Sequence, residues 1–261
     1  ARDDGAVVAR TDAVSRDCGF SRRDGTQHET FQSVKVAIRV PNWLGDAVMA
    51  LPAVRAVAER DEVVIVGRTA LAPIFRKFFV VERFPRAARA ILFTNSFRTA
   101  WGAWRAGIPE RLGYDEHFRG PLLTKKVRRN FSHQIDEYIR LVETAGYTVS
   151  DRVPKLSLPD HHSVSGGFWV LAPGARYGSA KRWEGFDRLA AMLAEQGKRV
   201  IVLGASGEAF ASTHALIENR IGRTTIDEVI SVVSGAAGVI SNDSGIAHVA
   251  RALGKRTIVL F

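Results

Sequence analysis

Cysteine is almost missing from these 261 residues. Cys18 stands alone, which excludes an internal disulfide framework and any cysteine-based zinc spacing. One thiol fits a reducing compartment such as the cytoplasm. Long apolar runs are missing as well. None approaches the roughly 18 residues of a membrane span, and no apolar stretch follows a basic start, so neither a span nor a secretory leader is expected. The chain has no Walker loop, no G-x-G-x-x-G turn and no G-x-S-x-G nucleophile turn. It has no zinc-finger or RNP-type pattern, which argues against nucleic acid as a partner. No His, Cys and carboxylate cluster has metal-ligand spacing, and the nearest pair, His161-His162, falls in a polar connection, so no metal is expected.

What is present is basic. Thirty-seven Lys and Arg against 27 Asp and Glu give a formal charge of +10. The excess does not come from the first 33 residues, where Arg2, Arg10, Arg16, Arg22 and Arg23 meet six acids. It is dense between Arg98 and Arg129, through Arg105, Arg111, Arg119, Lys125, Lys126 and Arg128. Such a stretch is either a solvated face or a surface for an anionic partner: acidic lipid or a phosphorylated substrate.

Residues 1–33 lack sustained periodicity and read as a disordered tail. Order begins at Val34. "VKVAIRV" reads as a buried strand, "DAVMALPAVRAVAER" as a helix despite Pro52, "DEVVIVG" as a strand and "TALAPIFRKFF" as a helix. "VVERFPRAARAILF" then joins two apparent strands through about six residues, fewer than the dozen or more of an ordinary parallel crossover. A helix near "SFRTAWGAWRAG" follows, and then "HQIDEYIRLVETAG", with Ser132 as its cap and Gly146 as its stop. The Pro-, Ser- and Gly-rich stretch 151–167 marks a domain junction. After it come a strand at "FWVLAPG", a helix at "FDRLAAMLAEQG", a strand at "KRVIVLG", helices near 208–218 and 226–235, a strand at "AGVISN", a helix at "SGIAHVARALG" and a strand at "RTIVLF". Alternating strands and helices specify an α/β fold with parallel, doubly wound sheets. The expected division is a tail over 1–33, one Rossmann-like domain over 34–158 and a second over 159–261, facing a cleft.

Ligands of such sheets bind beyond the carboxyl ends of the strands, so the turns there hold the candidate residues. In "PNWLGDAV", Gly45 allows a tight turn, and Asp46 fits either an N-cap or a general base at the cleft edge. In "APGARYGSAKRW", Gly174 and the following small residues precede Lys181, giving either a surface loop or a phosphate site. In "GASGEAF", Glu208 fits a dipole-complementing acid or a ribose ligand. In "SNDSGIAH", Asp243, Ser244 and Gly245 open a helix whose first amides form a ready anion site. His248 lies one turn on, packed or beneath the ligand.

Taken together, "RVPNWLGDAVMALPAVRA", "LAPGARYGSAKRW" and "ISNDSGIAHVARALGK" resemble, in order and spacing, the ADP-heptose:lipopolysaccharide heptosyltransferases of glycosyltransferase family 9. The stretch "FTNSFRTAWGAWRAGIPERLGY" with "RGPLLT" looks most like type II. The resemblance spans 34–261. It implies a GT-B fold and an inverting transfer of heptose from ADP-heptose, without a further cofactor, to the heptosylated inner core of lipid A at the cytoplasmic face of the inner membrane. It also implies that the second domain stops short, because such enzymes continue beyond "TIVLF". By position, Asp46 matches the general base, and Lys181 the lysine facing the donor diphosphate. Gly45, Gly174, Asp243, Ser244, Gly245 and His248 belong with the donor turns, Glu208 aligns loosely with a ribose-binding acid, and Asn95, Arg98 and Arg119 fall to the acceptor side. Two other readings stay open: a GT-B-shaped sugar-nucleotide epimerase, and a non-catalytic relative that binds nucleotide or anionic lipid.

Overall fold

The computed structural model describes residues 34–130, 132–158, 167–174 and 183–260. The tail 1–33, the pair His161-His162 and Lys181 lie outside the described residues. Ser33–Phe261 form one compact unit built on two parallel sheets.

The first sheet has the order β3-β2-β1-β4-β5-β6. Its strands are β1 (Val34–Arg39), β2 (Val63–Val66), β3 (Phe79–Val81), β4 (Ala87–Leu92), β5 (Glu110–Tyr114) and β6 (Lys125–Val127), each parallel to its neighbours. The second sheet has β7 (Phe168–Ala172), β8 (Arg199–Val202), β9 (Ile217–Asn219), β10 (Gly238–Asn242) and β11 (Thr257–Leu260) in the order β11-β10-β7-β8-β9. In both, the first strand lies inside and the chain winds outward to one edge and then to the other, which is the Rossmann order. The helices are α1 (Leu44–Met49), α2 (Leu51–Ala58), α3 (Phe97–Arg105), α4 (Gln134–Thr144), α5 (Phe186–Glu195), α6 (Ile226–Gly235) and α7 (Gly245–Ala252). No helix among the described residues is long and apolar enough to cross a membrane.

Four expectations are corrected. The helix expected through Pro52 is two helices. Proline has no N–H and its ring clashes with the carbonyl four residues back, so the chain turns at Ala50 and α2 restarts with Pro52 in its first turn, where no internal donor is needed. The segment expected as a helix from Thr69 is a 3-10 turn, Thr69–Phe75. The helix expected near 208–218 is absent. The Asp187 carboxylate, in the first turn of α5, accepts from the amides of Ala211 and Ser212 at 2.7 Å each, and the chain runs on into β9. Ser132 does not cap α4. His133 does, accepting from the Ile135 amide, while the Ser132 amide and hydroxyl both donate to Glu137 Oε1 at 3.1 Å. Gly146 does stop this helix, at φ 95°.

The short crossover is real, and both strands flanking it are strands. Val81 is level with Arg39 through Val66, and Ala87 is level with Val34. The link must therefore retreat five residues along the strands and cross three inter-strand gaps. Residues 82–86, bent at Glu82, Arg83 and Arg86, do so as a short strap in place of a helix. Phe84 anchors it, since its ring lies 3.4 Å from where a Cβ on Gly102 of α3 would be.

One continuous apolar cluster links the sheets. It includes Ile38 and Ile65 of the first, Val170 and Val239 of the second, and Ala47, Val54, Val233 and Val249 of the helices between them. Arg76 and Asp227 form an ion pair between the 3-10 turn and α6.

Candidate active site

All strands of a sheet point the same way, so the turns at their carboxyl ends converge. Those after β1, β7, β8 and β10 line one cavity of about 610 Å³. It opens at the switch point of the second sheet, between β7 and β10, where a doubly wound sheet leaves a crevice. Gly45 and Asp46 reach it from the first sheet; Gly174, Glu208, Asp243, Ser244, Gly245 and His248 reach it from the second.

Two helix N-termini meet here. Trp43 is the N-cap of α1 and Ser244 that of α7, and neither side chain caps its helix. The Ser244 hydroxyl is 2.8 Å from that of Ser241 instead. The Ser244 side chain thus leaves the first-turn amides of α7 uncapped by it, at the positive end of the helix dipole. The approach of α1 to α7 depends on glycine on both sides. A Cβ on Gly45 would lie 2.8 Å from His248 Cδ2, and a Cβ on Gly245 would lie 2.9 Å from Leu44 Cβ.

Asp46 is not the cap of α1. It sits within the first turn, against the opposing helix. Burial raises its pKa, and the charge of His248 partly offsets this. Burial lowers the pKa of His248, while Asp243 and Asp46 pull it upward. A carboxylate held above its ordinary range is a better proton acceptor once ionised, which suits a base working near neutral pH.

Glu208 lies against bare backbone. A Cβ on Gly174 would come within 2.0 Å of its Oε1, and one on Gly204 within 2.2 Å of its Oε2. The carboxylate fits there because both neighbours are glycine, and it faces the cavity from the carboxyl ends of β7 and β8. Asn242 is fully buried at the end of β10. Its side-chain amide donates to the Pro173 carbonyl at 2.6 Å and accepts from the Trp183 amide at 3.1 Å. One side chain therefore holds two residues, Pro173 and Trp183, that lie on either side of Lys181 in the sequence.

The acceptor-side residues fare differently. Asn95 donates to Glu116 Oε2 at 2.9 Å and does not line the cavity. Arg98 is exposed on the first turn of α3. Arg119 is a correction: it is fully buried, so its guanidinium does not face a surface ligand. Its Nε donates to the Tyr114 carbonyl at 2.7 Å and its Nη1 to the Thr94 carbonyl. Burial lowers its pKa to about 10, against the nearby charges of Glu116 and Asp115. Trp43, Thr224 and Arg68 are among the cavity residues not singled out in the sequence. Trp43 and Thr224 line the walls, and Arg68 is the one Lys or Arg among the described lining residues. Trp43 could have been noticed as an aromatic one residue before a helix at a strand end. Arg68 follows β2 with no local mark.

Two Rossmann-like sheets sharing one cavity at their carboxyl edges make up the GT-B architecture. The chain belongs to glycosyltransferase family 9 (heptosyltransferase), whose family model matches residues 84–261. Among curated relatives, lipopolysaccharide heptosyltransferase 2 of Escherichia coli K12 is 25% identical, over 87% of this chain and 82% of its own length. Lipooligosaccharide heptosyltransferase 2 of Haemophilus influenzae is 24% identical, over 90% of this chain and 78% of its own. The solved E. coli ADP-heptose LPS heptosyltransferase II superposes with a TM-score of 0.75 at 23% identity, covering 86% of this chain and 84% of that one. E. coli heptosyltransferase WaaC with ADP gives 0.68 at 19%, covering 86% of each. The two structures share the fold.

Proposed function

We propose that the protein transfers a heptose from ADP-heptose to a heptose of the lipopolysaccharide inner core, as an inverting, type II-like heptosyltransferase working at the face of the membrane that holds its glycolipid acceptor. The observation that carries this reading is the pairing of Asp46 on α1 with the amide-rich start of α7 across one cavity. One side supplies a carboxylate with a raised pKa; the other supplies donors for an anion.

The reaction is a single displacement. The acceptor hydroxyl oxygen forms a bond to the anomeric carbon while the bond from that carbon to the diphosphate oxygen breaks. Asp46 takes the hydroxyl proton as the oxygen attacks. The anomeric carbon passes through an oxocarbenium-like state. ADP leaves with the bonding electrons, and its growing negative charge falls beside the first amides of α7, with Lys181 and Arg68 as the cationic partners. Glu208 takes the ribose hydroxyls, and Asp243 and His248 orient the sugar.

The test is to incubate the protein with ADP-heptose and a heptosylated acceptor glycolipid and to weigh the products. A glycolipid heavier by one heptose, with ADP released, is expected. Nucleotide released with a sugar epimerised at a ring carbon, and no growth of the glycolipid, would instead mean epimerase chemistry.

A further inference from the structure

The surface of α3 is built unlike that of any other described helix. Ala100 and Ala103 are fully buried against the sheet. The adjoining stripe, at i, i+4 and i+7, is Phe97, Trp101 and Trp104, and all three are exposed, Trp104 by 52%. Beside the aromatics stand Arg98 and Arg105, also exposed, with the Arg105 guanidinium 5.5 Å from the Trp101 ring centre. No carboxylate among the described residues pairs with either arginine. From residue 83 to residue 109 there are five arginines and no acid at all. Exposed tryptophans side by side are costly on a surface facing water alone, and soluble proteins rarely leave such patches without use.

A second aromatic stands out on the same side of the fold. The loop after β5 places His117 at φ 50° and Phe118 at φ 57°, a left-handed backbone unfavourable for bulky residues. Phe118 there is 96% exposed. The loop is fixed behind by buried Arg119 and by the bond from Asn95 to Glu116, and it runs into the 3-10 turn Gly120–Leu122, which packs on α3. Both α3 and this loop start from carboxyl ends of first-sheet strands, the edge that also carries Asp46.

We propose that α3 and the Phe118 loop form a docking surface for an anionic lipid bilayer. Phe97, Trp101, Trp104 and Phe118 enter the interfacial layer, where amphipathic aromatic rings are favoured. Arg98 and Arg105 meet lipid phosphates. Charge selects this occupant: Arg98 and Arg105 beside the stripe have no acidic partner among the described residues, while Asp115 and Glu116 of the Phe118 loop pair with Lys126 and Arg129, so in a chain of net charge +10 the surface complements an acidic bilayer and repels a second copy of itself. The inference rests on the proposed glycolipid acceptor only for its biological sense, since docking there brings the acceptor edge of the cleft to the lipid.

The experiment uses the full chain without donor or acceptor, so that lipid docking and sugar transfer can fail separately. It is sedimented with vesicles of phosphatidylcholine and phosphatidylglycerol, and with phosphatidylcholine alone. Binding to the first only is expected, weakened about tenfold or more by Arg105→Glu and by Trp101→Ser with Trp104→Ser, with ADP affinity unchanged. Should a serine variant fail to fold, Trp101→Phe with Trp104→Phe keeps the packing. Brominated lipid is then expected to quench the parent's fluorescence and to quench that variant far less. No binding by the parent, equal binding by the variants, or equal quenching in both would overturn the proposal. So would self-association of the parent that the variants lose while vesicle binding is absent.

Discussion

At the scale of single residues, Asp46 carries the sharpest expectation. Asp46→Asn should leave ADP affinity intact and lower turnover by about 10²–10⁴-fold; a fall in affinity with unchanged turnover would assign it to binding instead. Because burial raises its pKa, the acid limb of kcat/KM should lie above the ordinary aspartate range of about 3.9. His248→Gln removes a charge that lowers this pKa, so the limb should move to higher pH, and a limb that stays in place would break the coupling. Asn242 had no motif to announce it, because its importance lies in two backbone groups far away in sequence. Asn242→Asp can still accept from Trp183 but cannot donate to Pro173. It should weaken ADP binding, by about tenfold if the buried Pro173 carbonyl is left without a donor, as calorimetry would read.

Glu137 is a stability residue of the same scale. Its side chain is buried. Burial alone would raise its pKa, but hydrogen bonds to the carboxylate from Ser132, Arg140 and Asn130 outweigh this and bring it from 4.5 to about 2. A depressed carboxylate pKa stabilises the fold above the unfolded value and loses that contribution as pH falls through the folded one. Glu137→Gln should therefore cost about 3 kcal/mol at neutral pH, with the gap to the parent closing between pH 4.5 and about 2. A gap that persists at acid pH would mean that shape rather than charge is at stake.

At the scale of elements, the sequence is legible where an element satisfies itself and illegible where it depends on a distant partner. β1, β2, β7, β8 and β10 are short runs rich in β-branched residues, and α4 and α7 show helical spacing with a glycine or Asx stop or start. β5, β6 and β9 were not singled out. They are short and carry charges, and only a neighbouring strand makes them strands. The segment 208–218 has enough apolar residues for a helix, yet Asp187 takes its amides from 24 and 25 residues away. The cavity residues next to glycine turns were readable as candidates, whereas the burial of Arg119 was not, because a carbonyl at Thr94 cannot be seen from Arg119 in the sequence. The α1–α7 contact gives the prediction at this scale. Gly45→Ala places a methyl 2.8 Å from the His248 ring, so the helices must separate. Turnover should fall further than ADP affinity, since donor groups lie on α7 and the base on α1. An equal fall in both would place the damage in the second sheet alone.

At the scale of the whole molecule, two sheets share one apolar cluster. A calorimetric scan of the protein should accordingly show the two sheets melting in one transition, raised in temperature by ADP through mass action. Two resolved transitions, only one of them shifted by ADP, would show that the common cluster does not couple them.

The strap between β3 and β4 has a consequence of another kind. A crossover of five residues has little to give up and much room to grow. Each residue removed from 82–86 takes some 3 Å from its reach, and β3, an edge strand of three residues, is the piece that would peel away once the bends at Glu82, Arg83 and Arg86 are drawn out. An added residue costs only the small entropy of a slightly longer loop. Gaps among related chains at this position should therefore favour longer connections over shorter ones.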